Sequence, residues 1–239
     1  LCIRYRSPHG RRCGSVANVH PTFGLRYRAI FAIHTDKEQK TVTVLAFEQF
    51  QVLLHGTPLT SALNTRVEGG QILTLMGPSG CGKSSLLLAM AGHAHAPLST
   101  QGKVLIDSQD VTALPAYQRK IGLLFQDDLL FPHLNVTQNL LFALPENISR
   151  EKQHQQVAQA LNKIDMSAFS SRYPDELSGG QRARISLLRT LLSRPRAVAL
   201  DEPFSKLDKS LRQQFRQWVF GELQQTNIAT LLVTHDEDD

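Results

Sequence analysis

The sequence of 239 residues contains little cysteine and no long apolar run. Its three cysteines, Cys2, Cys13 and Cys81, have neither the spacing of a disulfide framework nor that of a metal site. This usage is typical of a reducing compartment. No apolar run in the sequence approaches the roughly 18 residues of a membrane-spanning helix. The sequence therefore indicates a globular chain that is long enough to bury a core.

Acidic residues are missing from residues 1–35, and methionine is missing from everything before Met76. Residues 1–44 hold eight of the 26 basic residues and two of the 21 acidic ones, a net charge of +6, whereas the other 195 residues carry −1. A basic segment of this kind fits nucleic-acid binding, a targeting presequence, or residues outside the native coding sequence. Because it lacks helical periodicity and ordered aromatic spacing, we expect no nucleic-acid partner. We expect residues 1–44 to be disordered or non-native, with a native start near Val42–Leu45 at a non-AUG codon.

The stretch Gly77–Ser84 follows an apolar strand pattern and precedes a helical one. It reads G-x-x-x-x-G-K-S, the phosphate-binding P-loop, and this context disfavours a simple turn before a buried helix. Glycines let backbone N–H groups approach a triphosphate, and the positive end of the next helix faces the same anion. Lys83 suits the β- and γ-phosphates, and Ser84 suits Mg²⁺. The candidate nucleotide-binding residues are Gly77, Pro78, Ser79, Gly80, Cys81, Gly82, Lys83, Ser84 and Ser85.

Strand and helix patterns alternate around the P-loop. Residues 41–67 predict short antiparallel strands with a turn at 56–58, and residues 93–102 predict a loop. Further strands are expected at 72–76, 103–107, 120–125, 197–200 and 228–233. Residues 133–193 are helical in pattern, and a later helix carries one apolar stripe formed by Leu211, Phe215, Trp218, Val219 and Leu223. These patterns predict an α/β fold with a mostly parallel core, an N-terminal antiparallel β-subdomain and an inserted α-helical subdomain.

Two further stretches carry candidate chemistry. The strand at 197–200 runs into Asp201 and Glu202; after a P-loop, the first carboxylate supports Mg²⁺ and the second polarises water, although a strand end with ordinary acids is the alternative. Ser178-Gly179-Gly180-Gln181 opens a helix, with Ser178 and Gln181 as a capping box. Capping does not explain the two glycines, each of which costs up to about 1 kcal/mol relative to alanine. Bare N–H groups at a helix N-terminus suit a second anion-binding site.

Taken together, LSGGQ at 177–181, the P-loop, ALDEP at 199–203 and the later His235 resemble the ATP-binding subunit of ABC transporters. The resemblance runs from about Leu45 to the C-terminus. The sequences of these motifs are most similar to those of ATPases of bacterial importers, of a thiamine-type or uncharacterised uptake system. It implies a P-loop NTPase with a RecA-like core over residues 45–239 and a helical subdomain near 133–193. Family members continue with a further strand and helix, so we expect the chain to be truncated at Asp239.

The resemblance also implies a role for each matching residue. Gln126 resembles the Q-loop glutamine and joins Ser84 and Asp201 at Mg²⁺. Glu202 acts on the water, and His235 contacts the γ-phosphate. The residues implied to bind the nucleotide held by a second copy of the chain are Ser178, Gly179, Gly180 and Gln181, with Asp208 in the D-loop.

The partners implied by the resemblance are a second ATP-binding subunit, transmembrane permease subunits and an extracytoplasmic substrate-binding protein. The implied location is peripheral, on the cytoplasmic face of the inner membrane, and the implied cofactors are ATP and Mg²⁺. The alternative is a soluble ABC-type ATPase of DNA repair or translation, which generally carries a coiled-coil insertion or a second P-loop. Neither pattern occurs in the sequence. A catalytically inactive subunit is disfavoured because each position that the family uses for hydrolysis has the required residue type.

One position departs from the family. Leu54, flanked by His55, stands where an aromatic residue usually stacks on adenine, and Phe50 is the nearest aromatic. We therefore expect the adenine base to stack weakly and the nucleotide to be bound mainly through its phosphates. Cys81 occupies a variable position of the P-loop, where alkylation is expected to block the nucleotide.

Overall fold

The computed structural model describes residues 2–6, 43–125, 127, 129–205, 207 and 209–235. Its strands are β1 Cys2–Arg6, β2 Val44–Leu54, β3 Thr57–Pro58, β4 Leu63–Glu68, β5 Ile72–Met76, β6 Leu98–Ile106, β7 Gln109–Asp110, β8 Ile121–Leu124, β9 Ala197–Asp201 and β10 Ala229–Thr234. Its helices are α1 Lys83–Ala91, α2 Ala116–Arg119, α3 Val136–Leu141, α4 Arg150–Lys163, α5 Gly179–Leu192 and α6 Lys209–Gln225. Two predicted site residues, Gln126 and Asp208, lie outside the described residues, as does most of the segment 1–44.

The first sheet has the order β1-β5-β10-β9-β8. Strands β5, β10, β9 and β8 run parallel, and β1 pairs antiparallel with β5. Every residue of β10 is buried, as are four of the five residues in both β5 and β9. Parallel strands covered on both faces show such continuous apolar runs. The predicted parallel core is therefore confirmed.

The second sheet is antiparallel, with the order β3-β2-β6-β7 and β4 also paired to β2. The sequence predicted short strands before residue 55, whereas β2 is a single strand of 11 residues. A register shift interrupts it between Phe47 and Phe50, where Gln49 has a φ of 49°. This irregularity explains why the sequence pattern broke in two.

The predicted loop at 93–102 is wrong in its second half, because β6 begins at Leu98. β6 pairs with β2 from its first residue, Leu98 opposite Leu54, so long-range pairing orders a stretch with little local strand pattern. Gly102 has a φ of 84° and lies against the irregular part of β2. A Cβ at this position would lie 2.1 Å from the carbonyl oxygen of Gln49, so only glycine fits.

The core is divided by the first sheet. Leu73 and Leu75 of β5 pack with the second sheet and with α1, while Ile72 points to the opposite face. This alternation is the period of two expected of a strand. The opposite face packs against α5 and α6, and the buried members of the predicted α6 stripe there are Phe215, Val219 and Leu223. Trp218 is partly buried between this cluster and the helical part.

The helical part is built by α3, α4 and α5. Val157, Leu161 and Ile164 are all buried in its cluster. Leu188 and Leu192 of α5 complete the same cluster. The inserted helical subdomain is therefore confirmed. Within the described ranges, none of the helices has the length and apolar character needed to cross a membrane.

Arg119, at the end of α2, is buried and binds four backbone carbonyl groups. Its guanidinium donates to Leu114 O, Ala89 O, Met90 O and Thr112 O. Two of these carbonyls belong to the last turn of α1, where Ala89 O also accepts from the N–H of Gly92. Burial lowers the pKa of Arg119. Arg119 therefore fixes the end of the helix that begins at the P-loop.

We expect Arg119→Met to lower the free energy of unfolding by about 3 kcal/mol, because several buried carbonyls would lose their donor. The exposed Arg150 at the start of α4 provides the control, Arg150→Met, which should change stability little. Urea unfolding followed by the fluorescence of Trp218, the single tryptophan, measures both variants. Equal midpoints for the two variants would contradict the role assigned to Arg119.

Candidate nucleotide site

The P-loop joins the buried strand β5 to α1. Gly80 and Gly82 have φ values of 81° and 87°, which the glycines adopt without strain. Residues 78–80 are exposed, whereas Lys83 is only 6% exposed. Its Nζ donates to Gly77 O at 2.8 Å and to Pro78 O at 2.9 Å. The loop therefore folds over its own lysine and leaves its outer backbone open to a ligand.

Asp201 lies near Ser84, although the two residues are 117 positions apart in the sequence. The Ser84 hydroxyl lies close enough to the Asp201 carboxylate to lower its pKa by hydrogen bonding. Burial raises the pKa of Asp201, and the charge of Glu202 raises it further, while Ser84 and the charge of Lys83 oppose this shift. The structure thus brings the end of strand β9 close to the P-loop.

Glu202 lies directly beside His235. The imidazole Nδ1 is 2.9 Å from Glu202 Oε1, and the histidine is the more exposed partner. Glu202 has a φ of 46°, and its N–H donates to Val233 O of β10. A left-handed backbone is unusual for a residue with a Cβ, and such strain is often found at functional sites. The sequence analysis singled out both residues but did not predict their contact.

Sheet order explains why these residues meet. β10 lies between β5 and β9, so the P-loop, Glu202 and His235 all follow the carboxyl ends of adjacent parallel strands. Val233 is in register with Leu75 on one side and with Asp201 on the other. Ligands of open α/β sheets bind at this edge.

Ser178 begins α5 as predicted. Its hydroxyl accepts from Gln181 N at 3.3 Å, and its own N–H donates to Gln181 Oε1 at 2.9 Å, which is a capping box. Gly180 has an additional reason to be glycine, because a Cβ would lie 2.8 Å from the Leu207 side chain. Within the described part of the chain, the hydrogen bonds of Ser178 and Gln181 do not reach the P-loop. These hydrogen bonds join Ser178 and Gln181 to each other at the start of α5.

The region expected to hold the base is aliphatic. Leu54 is 38% exposed at the end of β2, and His55 is exposed, whereas Phe50 is fully buried and cannot stack on a ligand.

Sequence analysis missed two neighbours of the P-loop. A Cβ on Gly82 would lie 2.9 Å from both Leu59 and Thr60, so the β3–β4 connection packs against the start of α1.

The donors at this edge suit a magnesium ion. Mg²⁺ prefers oxygen ligands, takes only one or two from the protein, and completes its shell with water and phosphate. The Ser84 hydroxyl and the Asp201 carboxylate are such oxygens, and a cation would offset the cost of burying Asp201. The described residues contain no cluster of three or more His, Cys, Asp or Glu side chains that could hold a metal by themselves.

Fold and site together define a P-loop NTPase. The chain matches the ABC transporter family over residues 60–205. It is 44% identical over 196 residues to an uncharacterized ABC transporter ATP-binding protein, YnjD, of Escherichia coli K12, covering 82% of this chain and 90% of that protein. The chain belongs to the ABC transporter family and is an ABC-type ATPase, an ATP-binding subunit of that family.

Other relatives are named for import. The chain is 40% identical over 179 residues to the Fe(3+) ions import ATP-binding protein FbpC 1 of Pectobacterium atrosepticum, covering 74% of this chain and 50% of that one. It is 36% identical over 210 residues to the spermidine/putrescine import ATP-binding protein PotA of Vibrio cholerae, covering 87% of this chain and 55% of that one. The chain thus spans about half the length of these import proteins.

The fold is similar to that of a solved ATP-binding cassette, MJ0796, in a dimeric post-hydrolysis state bound to ADP and phosphate. The TM-score is 0.68 at 24% identity, covering 81% of this chain and 89% of that one. This similarity confirms the predicted α/β fold.

Proposed function

We propose that the chain couples ATP hydrolysis to substrate movement through a separate permease, in the direction of import. One observation carries the proposal: Lys83, Ser84, Asp201, Glu202 and His235 meet at one edge of the sheet. Phosphoryl transfer depends mainly on positioning and on charge stabilisation. The buried ammonium of Lys83 and the carboxylates of Asp201 and Glu202, which lie in different surroundings, suit both the positioning of the phosphates and the stabilisation of their charge.

Each residue has a proposed task. The N–H groups of Gly77–Ser84 and the ammonium of Lys83 bind the β- and γ-phosphates, with Lys83 exchanging its two carbonyl partners for phosphate oxygens. Glu202 accepts a hydrogen bond from the attacking water and polarises it. His235 holds the Glu202 carboxylate and reaches the γ-phosphate. Ser84, Asp201 and Gln126 would hold Mg²⁺, which neutralises phosphate charge when it is bound.

A second copy of the chain is proposed to complete each site. Ser178 is exposed at the start of the 14-residue helix α5, whose positive end and glycine N–H groups suit the γ-phosphate of a nucleotide on another chain. Residues 78–80 of the P-loop are also exposed, and we propose that they face Ser178 of the second copy. Asp208 is proposed to lie at the same interface. Two nucleotides would then be enclosed between two chains.

An apolar patch, formed by Leu129, Phe131 and Phe142, is the proposed contact with the permease. Leu129 is 56% exposed and Phe142 is 70% exposed. The rings of Phe131 and Phe142 lie edge to face, with centroids 4.8 Å apart. Exposed apolar groups that cluster in this way often mark an interaction surface. The patch follows Gln126 in the sequence, so a partner bound there would adjoin the nucleotide site.

The direction of transport and the remaining partners are proposed from the relatives. Two of the relatives named above are import ATP-binding proteins, one for iron(III) and one for spermidine or putrescine. An importer of this kind would place the chain peripherally on the cytoplasmic face of the inner membrane, with an extracytoplasmic protein that binds the substrate.

Reconstitution with the permease encoded by neighbouring genes tests the proposal. We expect Mg²⁺-dependent ATP hydrolysis that the permease stimulates in proteoliposomes and that Lys83→Met abolishes. Phe142→Ser should hydrolyse ATP as the free chain does but lose the stimulation. Equal rates for the parent chain and Lys83→Met would contradict the assigned site. A permease that leaves the rate unchanged would contradict coupling.

A further inference from the structure

Arg189, in the last turn of α5, reaches across to the segment that carries the apolar patch. Its Nη2 donates to Leu129 O at 2.9 Å, and its Nη1 donates to Asn139 Oδ1 at 3.4 Å. The carbon at the centre of the guanidinium lies 5.2 Å from the centroid of the Phe131 ring. One half-buried side chain therefore contacts two residues of the segment and the helix behind it.

Asn139 holds the same segment from α3. It is fully buried, and its Oδ1 accepts from Phe131 N at 2.9 Å. Its Nδ2 donates to Phe131 O at 3.1 Å and to Leu134 O at 2.8 Å. Residues 129–134 are thus tied to α3 by Asn139 and to α5 by Arg189. This segment has no regular secondary structure of its own, so these side chains supply the partners for its backbone groups.

The two elements joined by Arg189 both continue into proposed site residues. α5 begins directly after Ser178, which is proposed to contact the γ-phosphate on another chain. Leu129 is the third residue after Gln126, a proposed Mg²⁺ ligand. A rigid connection between them would make α5 and the segment after Gln126 move together.

We propose that Arg189 is a positioning residue that fixes residues 129–131 to α5, so that these two parts of the ATPase site keep one relative geometry. This inference rests on the proposed function and adds a residue that neither the P-loop nor the LSGGQ stretch contains. The role requires a planar guanidinium, because Arg189 must donate in two directions while its face lies on an aromatic ring. A lysine ammonium can donate to Leu129 O but has no planar face to lie on Phe131.

Three variants test the proposal in the full chain. Arg189→Met removes all the polar contacts and keeps a long side chain, and Arg189→Lys keeps the charge. The matched control is Arg172→Met, since the exposed Arg172 makes the same kind of contact elsewhere in the helical part, 5.1 Å from the Phe169 ring. Trp218 emission reports whether each variant is folded, because this residue packs against both the helical and the core clusters.

We expect Arg189→Met to lower kcat about 10-fold, since small misplacements of positioning groups reduce rates strongly. The affinity of one chain for a fluorescent ATP analogue should remain unchanged, because the P-loop is not touched. Hydrogen exchange of residues 129–134 should become faster, the Phe131 amide included. Arg189→Lys should recover part of kcat and part of the protection, and Arg172→Met should match the parent chain in all three measurements.

The outcomes separate the inference from the proposed function. A kcat for Arg189→Met equal to that of Arg172→Met overturns the inference, and so does a reduced kcat with unchanged exchange at 129–134. A weaker affinity for the ATP analogue, with kcat retained, also overturns it. If the parent chain shows no hydrolysis, the proposed function fails, yet hydrogen exchange still decides whether Arg189 fixes the segment. Should Arg189→Met unfold, Arg189→Lys provides the same three measurements.

Discussion

Glu202→Gln is expected to lower kcat for ATP hydrolysis by about 10²- to 10⁴-fold, the range in which a general base contributes to catalysis. The amide keeps the size of the carboxylate and can still bond to His235, but it cannot polarise water in the same way. Nucleotide binding should persist, because Lys83 and the loop amides are untouched. Since the bound ATP is not consumed, the variant should accumulate as an ATP-bound dimer. Single-turnover hydrolysis and gel filtration with ATP measure the two effects.

The control for this prediction is Glu146→Gln. Glu146 is exposed in the helical part, and the same change of charge there should leave turnover and oligomeric state as in the parent chain. Hydrolysis by Glu202→Gln at the parent rate would show that another residue polarises the water. A variant that is slow but remains monomeric with ATP would preserve the catalytic assignment and contradict the shared site.

The sequence predicts those parts of the site that consist of local motifs. The P-loop requires a strand before it and a helix after it, and Ile72–Met76 and Lys83–Ala91 supply them. Asp201 and Glu202 end a buried strand, and the parallel order of β5, β10 and β9 brings this strand end to the P-loop. Sequence spacing alone could not establish that meeting, because it depends on which strands are neighbours.

The features that the sequence did not predict depend on distant partners. β2 continues through the irregularity at Gln49 because it pairs with β4 and β6 on its two edges. Cys2–Arg6 pair with the edge of β5, and a short basic stretch gives no local signal for such pairing. Arg189 looks like an ordinary helical arginine until the fold brings Leu129 and Phe131 to it.

For Gly180 of the LSGGQ stretch, the fold offers an explanation other than ligand binding. Gly180 was assigned to a ligand because capping could not explain it, yet the Leu207 side chain also fills the space that a Cβ would need. The obstruction is the flexible end of a leucine, so alanine could be accommodated by a small rearrangement. Ser178 therefore separates the structural from the functional explanation better than Gly180 does, because it is exposed and its hydroxyl accepts from Gln181 N in the first turn of α5.

Ser178→Arg should lower ATP hydrolysis by at least about 10²-fold, comparable to the loss of a donor that stabilises transition-state charge. If the exposed N-terminus of α5 closes over a nucleotide on another chain, the arginine fills the space meant for phosphate and removes the hydroxyl. The variant also loses its helix cap, which costs about 1 kcal/mol, so folding must be checked by urea unfolding. Binding of ATP to a single chain should be unaffected. Ser149→Arg, at the exposed N-terminus of α4, is the control for an arginine placed at a helix start and should hydrolyse ATP normally.

Combining the two site variants gives the sharpest test of the shared site. Glu202→Gln alone should form the ATP-bound dimer, whereas the double variant with Ser178→Arg should bind ATP and remain monomeric, because the blocked helix start cannot close on the partner's nucleotide. Glu202→Gln with Ser149→Arg should still dimerise. A dimer formed by the Ser178→Arg double variant would mean that α5 does not contact the nucleotide of a second chain. The exposed capping box would then serve only to begin the helix, as its hydrogen bonds within one chain already do.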